Sequence, residues 1–118
     1  MSLFTTLLQA AAGFPDVTQR RMFGCAVWLV RGKMFALIHD DRVVLKISAV
    51  EPHNALMAIA GAETWSPGAP MLNWIVLPTA LAHNAAEFQR WVHIAHANVL
   101  AEARHPQPQK KARKRSTP

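Results

Sequence analysis

Two separators of two residues each, Arg31-Gly32 and Asp40-Asp41, divide an apolar stretch running from Met22 to Ile47, and nothing else in the chain restricts its fold so tightly. A two-residue link leaves the chain little choice but to reverse, so the flanking runs must pair as antiparallel neighbours. Gly32 readily supplies the positive φ that such turns require, and Asp tolerates it better than most residues. The runs are rich in Val, Ile, Leu, Phe and Trp, which suits strands. The pattern predicts a three-stranded meander at about Met22–Val30, Lys33–His39 and Arg42–Ile47. Residues 14–21 then serve as the lead-in to the first strand.

Strict alternation puts Phe35 and Leu37 on one face with His39, and Met34, Ala36 and Ile38 on the other. Val43, Leu45 and Ile47 share a face opposite Val44 and Lys46. Apolar residues on both sides predict a sheet covered on one face and partly occluded on the other. A second copy of the chain or another partner is the expected second cover.

The remaining elements follow from caps and periodicity. Ser2 is suited to cap a helix over residues 3–12, with Leu3, Leu7, Leu8 and Ala11 on one face and Gly13 and Pro15 ending it. Ser48-Ala49-Val50-Glu51 fits a capping box for a second helix, in which Leu56, Met57, Ile59 and Ala60 form the apolar face and Gly61 ends it. Thr64-Trp65 predicts a brief strand, and Met71–Leu77 a longer one ended by Pro78. Asn84 caps a last helix of about residues 84–104, where Phe88, Trp91, Val92, Ala95 and Val99 recur at helical spacing. The fold class is therefore α+β, in the order α-β-β-β-α-β-β-α, with helices packed against one face of a mainly antiparallel sheet. Residues 1–104 form one domain, and residues 105–118 form a basic tail without an apolar face, expected to be disordered.

Composition bounds the function classes. Of 118 residues, 51% are hydrophobic and only 17% charged, which is a globular balance for one core. The net charge of +6 is concentrated at one end: Lys110, Lys111, Arg113, Lys114 and Arg115 are five of thirteen basic residues, leaving eight against seven acidic ones. The folded surface is thus nearly neutral, and the tail is the candidate nucleic-acid contact. Five phosphate contacts on duplex DNA predict a log–log salt slope of roughly −4 to −5. The lone Cys25 excludes an internal disulfide and a cysteine-based zinc cage. The N-terminus lacks a basic segment and its apolar run is short, so the expectation is a cytoplasmic protein with no membrane partner.

The segments Arg20-Arg21-Met22-Phe23-Gly24, Gly32-Lys33-Met34-Phe35-Ala36-Leu37-Ile38, Asp40-Asp41-Arg42 and Leu45-Lys46 resemble the signature of the TfoX/Sxy N-terminal domain family. The resemblance covers about residues 17–103. It implies a small α+β domain associated with regulators of bacterial competence, in a family whose members are not established enzymes. Leu77-Pro78 is similar to the step that ends the family's second hairpin. Two departures stand out: Cys25 takes the place of a second Gly, and the family's usual aromatic pair in the later strand is reduced to Trp74. Long members continue into a helical domain, whereas here a basic tail follows.

Candidate chemistry is sparse. His93 and His96 are three apart on the last helix, but two imidazoles fall short of a zinc site, and partly exposed helix histidines explain them. Asp40-Asp41 is explained as a turn. Cys25 could act as a nucleophile only with a base such as His39 beside it, and its strand setting favours a buried, inert thiol. No phosphate loop, dinucleotide fingerprint or nucleophile elbow is present. The sequence therefore predicts no catalytic residue, cofactor or metal. It predicts a non-enzymatic interaction domain whose partner surface includes Arg20, Arg21, Trp65 and Trp74, near the loop Trp65–Pro70. Homodimerisation through the same sheet is compatible with this reading.

Overall fold

Three consecutive two-residue turns build most of the sheet. Phe23-Gly24 (φ 55° and 76°), Arg31-Gly32 (53° and 80°) and Asp40-Asp41 (51° and 59°) all have both central residues left-handed. That is the turn geometry whose twist matches paired strands. They join β1 (Val17–Met22), β2 (Cys25–Val30), β3 (Lys33–His39) and β4 (Arg42–Lys46) into a four-stranded antiparallel meander. The computed structural model describes residues 2–104.

The lead-in read over residues 14–21 is thus largely a strand of its own. Thr18, Gln19, Arg20 and Arg21 carry no hydrophobic alternation, because an edge strand with polar residues on both faces leaves no such trace. What commits it to the sheet is the Phe23-Gly24 turn, which returns the chain onto β2 with Met22 opposite Cys25. Arg31 fastens the far end, its Nε donating to Asp16 Oδ2 at 3.1 Å.

After β4 come α2 (Val50–Met57), β5 (Glu63–Trp65), β6 (Met71–Val76), a single helical turn α3 (Thr79–Ala82) and α4 (Ala85–Arg104); α1 (Leu3–Ala11) precedes the sheet. The six strands lie in the order β1-β2-β3-β4-β6-β5, with every neighbour antiparallel. The α+β class and the element order agree with the sequence reading, apart from β1 and α3. Both outer helices start at the expected caps: Ser2 Oγ accepts from Thr5 N at 3.1 Å, and Asn84 Oδ1 from Glu87 N at 3.1 Å.

The helical layer covers one face. α4 lies on β2, β3 and β4 and against α1. Leu7, Trp28, Phe35, Leu45, Ile75, Trp91 and Val92 meet there in the main core. Phe35 is a correction to strict alternation. Trp28 pairs with Ala36 but the next residue, Leu29, pairs with Met34, so Phe35 is the extra residue of a β-bulge. Phe35 and Ala36 therefore both join the helical core, while Leu37 lies in the opposite cluster. Two side chains in succession on the same face erase the period of two that a sequence reading depends on.

The capping box at Ser48 is also corrected. Ala49 is the N-cap of α2 and has no side-chain cap. Its N–H is instead taken by Asn98 Oδ1 of α4 at 3.0 Å. Ser48 Oγ is turned to Asn98 and to the carboxylate of Glu102, and Lys46 Nζ also reaches Glu102 Oε1 at 3.4 Å. A tertiary acceptor thus replaces the local one. Asn98→Ala should lower unfolding free energy by about 1–2 kcal/mol, and Glu51→Gln by less than about 0.5 kcal/mol, in urea titrations. The reverse ranking would restore the local capping box.

Candidate functional site

The face of the sheet away from α1 and α4 carries a second apolar cluster: Val27, Leu29, Leu37, Val44, Trp74 and Val76, with Met22, Cys25, Met34 and Trp65 packed against it. Cross-strand register orders it. Arg20, Val27, Leu37, Val44, Val76 and Glu63 stand opposite one another in a row through all six strands. Four buried aliphatic side chains fill the middle, with a cation on one edge strand and a carboxylate on the other.

Trp65 explains how these residues are buried on a face without a helix. The register between β5 and β6 jumps after Thr64, which pairs with Ile75, so that Trp65 pairs with Met71. Bulges of this kind re-aim a side chain. The Trp65 indole reaches His39 on β3, with Nε1–H donating to His39 Nδ1 at 3.3 Å and ring centroids 5.5 Å apart. Two strands, β4 and β6, intervene, and on a flat sheet the two backbones would stand about 14 Å apart. The two side chains therefore span both intervening strands on this face. Trp74 packs beside Trp65 at 5.9 Å between centroids.

The result is a hollow of about 430 Å³, lined by Met22, Phe23, Cys25, Val27, Met34, Leu37, Pro67, Met71 and Trp74, and closed on one side by His39 and Trp65. A second hollow of about 450 Å³ lies across that wall, bordered by Asp40, Arg42, Glu63, Thr64 and Ser66. On the rim, Phe23 is 84% exposed. Phe23 also occupies a left-handed turn position, which costs a residue with a Cβ roughly 1–2 kcal/mol.

The sequence-predicted residues divide. Trp65 and Trp74 come together, and Arg20 shares their face. Arg21, paired with Ala26 of the helical core, lies on the opposite side of β1. Phe23 was missing from the predicted surface. Its signal was present in the residues, since a large aromatic ring beside Gly24 in a two-residue turn is a choice that turn geometry does not favour. Residues Lys110, Lys111, Arg113, Lys114 and Arg115 lie outside the described residues.

Catalytic chemistry finds little support in this geometry. Cys25 Sγ is directed at Phe23 O, 3.7 Å away. An indole N–H can only donate, so His39 Nδ1 holds a lone pair and the neutral ring carries its proton on Nε2. That nitrogen cannot then accept a proton from a thiol. His96 is not the partly exposed helix residue expected: it is 3% exposed, its Nε2 is 3.1 Å from Pro15 O, and the Phe14 ring lies tilted against it at 4.7 Å. A carbonyl only accepts, so this ring nitrogen is the donor, and the residue ties α4 to the end of the α1 loop. Among the described residues no group of three or more His, Cys, Asp or Glu could hold a metal ion. No described helix is long and apolar enough to cross a membrane.

The model of the TfoX N-terminal domain matches residues 9–99, well over half of the chain. The chain belongs to the TfoX N-terminal domain family. No curated protein and no solved structure gives a significant match. In this TfoX N-terminal domain the Met22-Phe23-Gly24 segment acquires a structural meaning: Met22 and Phe23 border the hollow, and Gly24 completes the turn that presents them.

Proposed function

We propose that this TfoX N-terminal domain is a non-enzymatic interaction module, acting through protein contacts in the control of competence or related gene expression in the bacterial cytoplasm. The observation that carries this reading is Phe23. A turn that would be satisfied by Asn or Gly instead holds an aromatic ring in a costly conformation, almost fully exposed, at the mouth of an apolar hollow. Strain retained at an exposed position points to selection for contact rather than for folding. Met22, Met34 and Met71 around it are flexible side chains suited to a recognition surface, and Trp65, Trp74 and Arg20 are residue types that dominate binding energy at interfaces.

Phe23→Asn separates contact from stability, because its two effects have opposite signs. Unfolding free energy should rise by about 0.5–1 kcal/mol, since Asn is at ease in the left-handed turn. Capture of native protein partners should fall about tenfold or more. Partners retained at full strength by Phe23→Asn would remove this surface from the proposal.

The tail provides a second reading, in which Lys110, Lys111, Arg113, Lys114 and Arg115 add nonspecific nucleic-acid affinity. Repeating the capture after nuclease treatment and with residues 106–118 deleted distinguishes the two. Partners lost in both arms favour nucleic acid; partners kept in both favour the sheet face.

A further inference from the structure

The hollow on the open face has the size and lining of a small-molecule site. Ligand cavities of roughly 300–1,000 Å³ are mostly apolar with a few placed polar groups, and this one is about 430 Å³. Val27, Leu37 and Trp74 form apolar walls, and the described polar side-chain groups on it are the His39 ring, the Trp65 indole N–H and the Cys25 thiol. The indole N–H is already donated to His39 Nδ1 and the thiol is directed at Phe23 O. The remaining group is His39 Nε2–H, a donor fixed in its tautomer by Trp65. Asp40, Glu63 and the Arg42 that pairs with Glu63 at 3.8 Å border the adjoining hollow, and among the described residues no Lys, Arg, Asp or Glu lines this one. A charged ligand would be desolvated here without a counter-charge, which favours an uncharged one.

We propose that this cavity binds an uncharged, largely apolar small molecule bearing one hydrogen-bond acceptor, an aryl ketone or ester in chemical class, whose acceptor takes the proton of His39 Nε2. Trp65 is the wall against which the ligand packs, and its hydrogen bond holds the imidazole in the donating form. The re-aimed register at Thr64 and Trp65 is what puts that wall in place. This site needs no protein partner, so it stands or falls separately from the interaction surface.

Acetophenone and ethylbenzene test it, since they share a shape and differ by the acceptor. Each is titrated into the full chain while the indole N–H signals are followed by NMR. Saturable shifts are expected at Trp65 and Trp74, with Trp28 and Trp91 in the helical core unmoved. Acetophenone should bind roughly threefold to tenfold more tightly, the worth of one neutral hydrogen bond. In His39→Phe that preference should vanish while ethylbenzene still binds, and Cys25→Phe, which fills the cavity, should weaken both probes. Failure of either probe to saturate, equal affinities in the native chain, or a preference that survives His39→Phe would overturn the proposal. The native-chain comparison is decisive alone should either variant not fold. A chain that binds acetophenone as described but captures partners equally well as Phe23→Asn would keep this site and lose the interaction reading.

Discussion

Replacing Phe35 with alanine should destabilise the domain by about 3–5 kcal/mol, the usual cost of emptying a buried phenylalanine site. The ring is completely buried, and it meets the edge of His96 at 5.3 Å with the planes nearly perpendicular. His96 is held in turn by Pro15 O, so the site cannot collapse without disturbing the α1 loop. Domains of this size have roughly 5–15 kcal/mol to lose. In urea the midpoint should fall by roughly 2 M with an unchanged slope. Phe35→Leu, which keeps most of the volume, should cost less than half as much. The same variant tests the bulge: Trp65 and Trp74 signals should be nearly unaffected, since Phe35 lies in the helical core and not beneath them. Large shifts confined to those two tryptophans would put Phe35 back on the open face.

The second large effect is expected at Leu56. It is the only buried residue of α2, and an eight-residue helix has little stability of its own. Its other described attachments are the partly buried Met57 against the core, Asn98 Oδ1 on the N–H of Ala49, and His53 Nε2 within 3.1 Å of Leu72 O. Leu56→Ala should lower stability by about 2–4 kcal/mol. Because so little else holds α2, part of that loss should appear as local opening. Hydrogen exchange of the amides in Val50–Met57 should accelerate by at least about tenfold more than that of β2, β3 and β4. Uniform acceleration across helix and sheet would instead make α2 part of the global unfolding unit.

These two residues mark the boundary between what was legible in the chain and what was not. Leu56 could be assigned to an apolar helix face from its spacing with Ile59 and Ala60, although α2 ends at Met57 and those two residues lie in the turn that follows rather than in the helix read as far as Gly61. Phe35 could not, since a bulge inserts its extra residue without any sign in the local composition. The same contrast separates Ser2 and Asn84, whose side chains cap their own helices, from Ser48, whose expected role is taken by a residue fifty positions away. His96 was likewise misread as partly exposed: its burial depends on Phe14 and Pro15 reaching it from the other end of the chain.

On its own, the sequence determined what the turns at Arg31-Gly32 and Asp40-Asp41 do for pairing, the two terminal helices with their caps, the α+β class and the family. All of these follow from interactions within a few residues or from turns too short to allow alternatives. It did not determine the Phe23-Gly24 turn, which lies inside the first strand as read over Met22–Val30. Tertiary structure alone decided that β1 joins the sheet, that Phe35 changes faces, that Asn98 caps α2, and that Trp65 leans across two strands to His39. Each of these is a contact between groups distant along the chain. Their energies depend on register, which no local pattern of residues encodes.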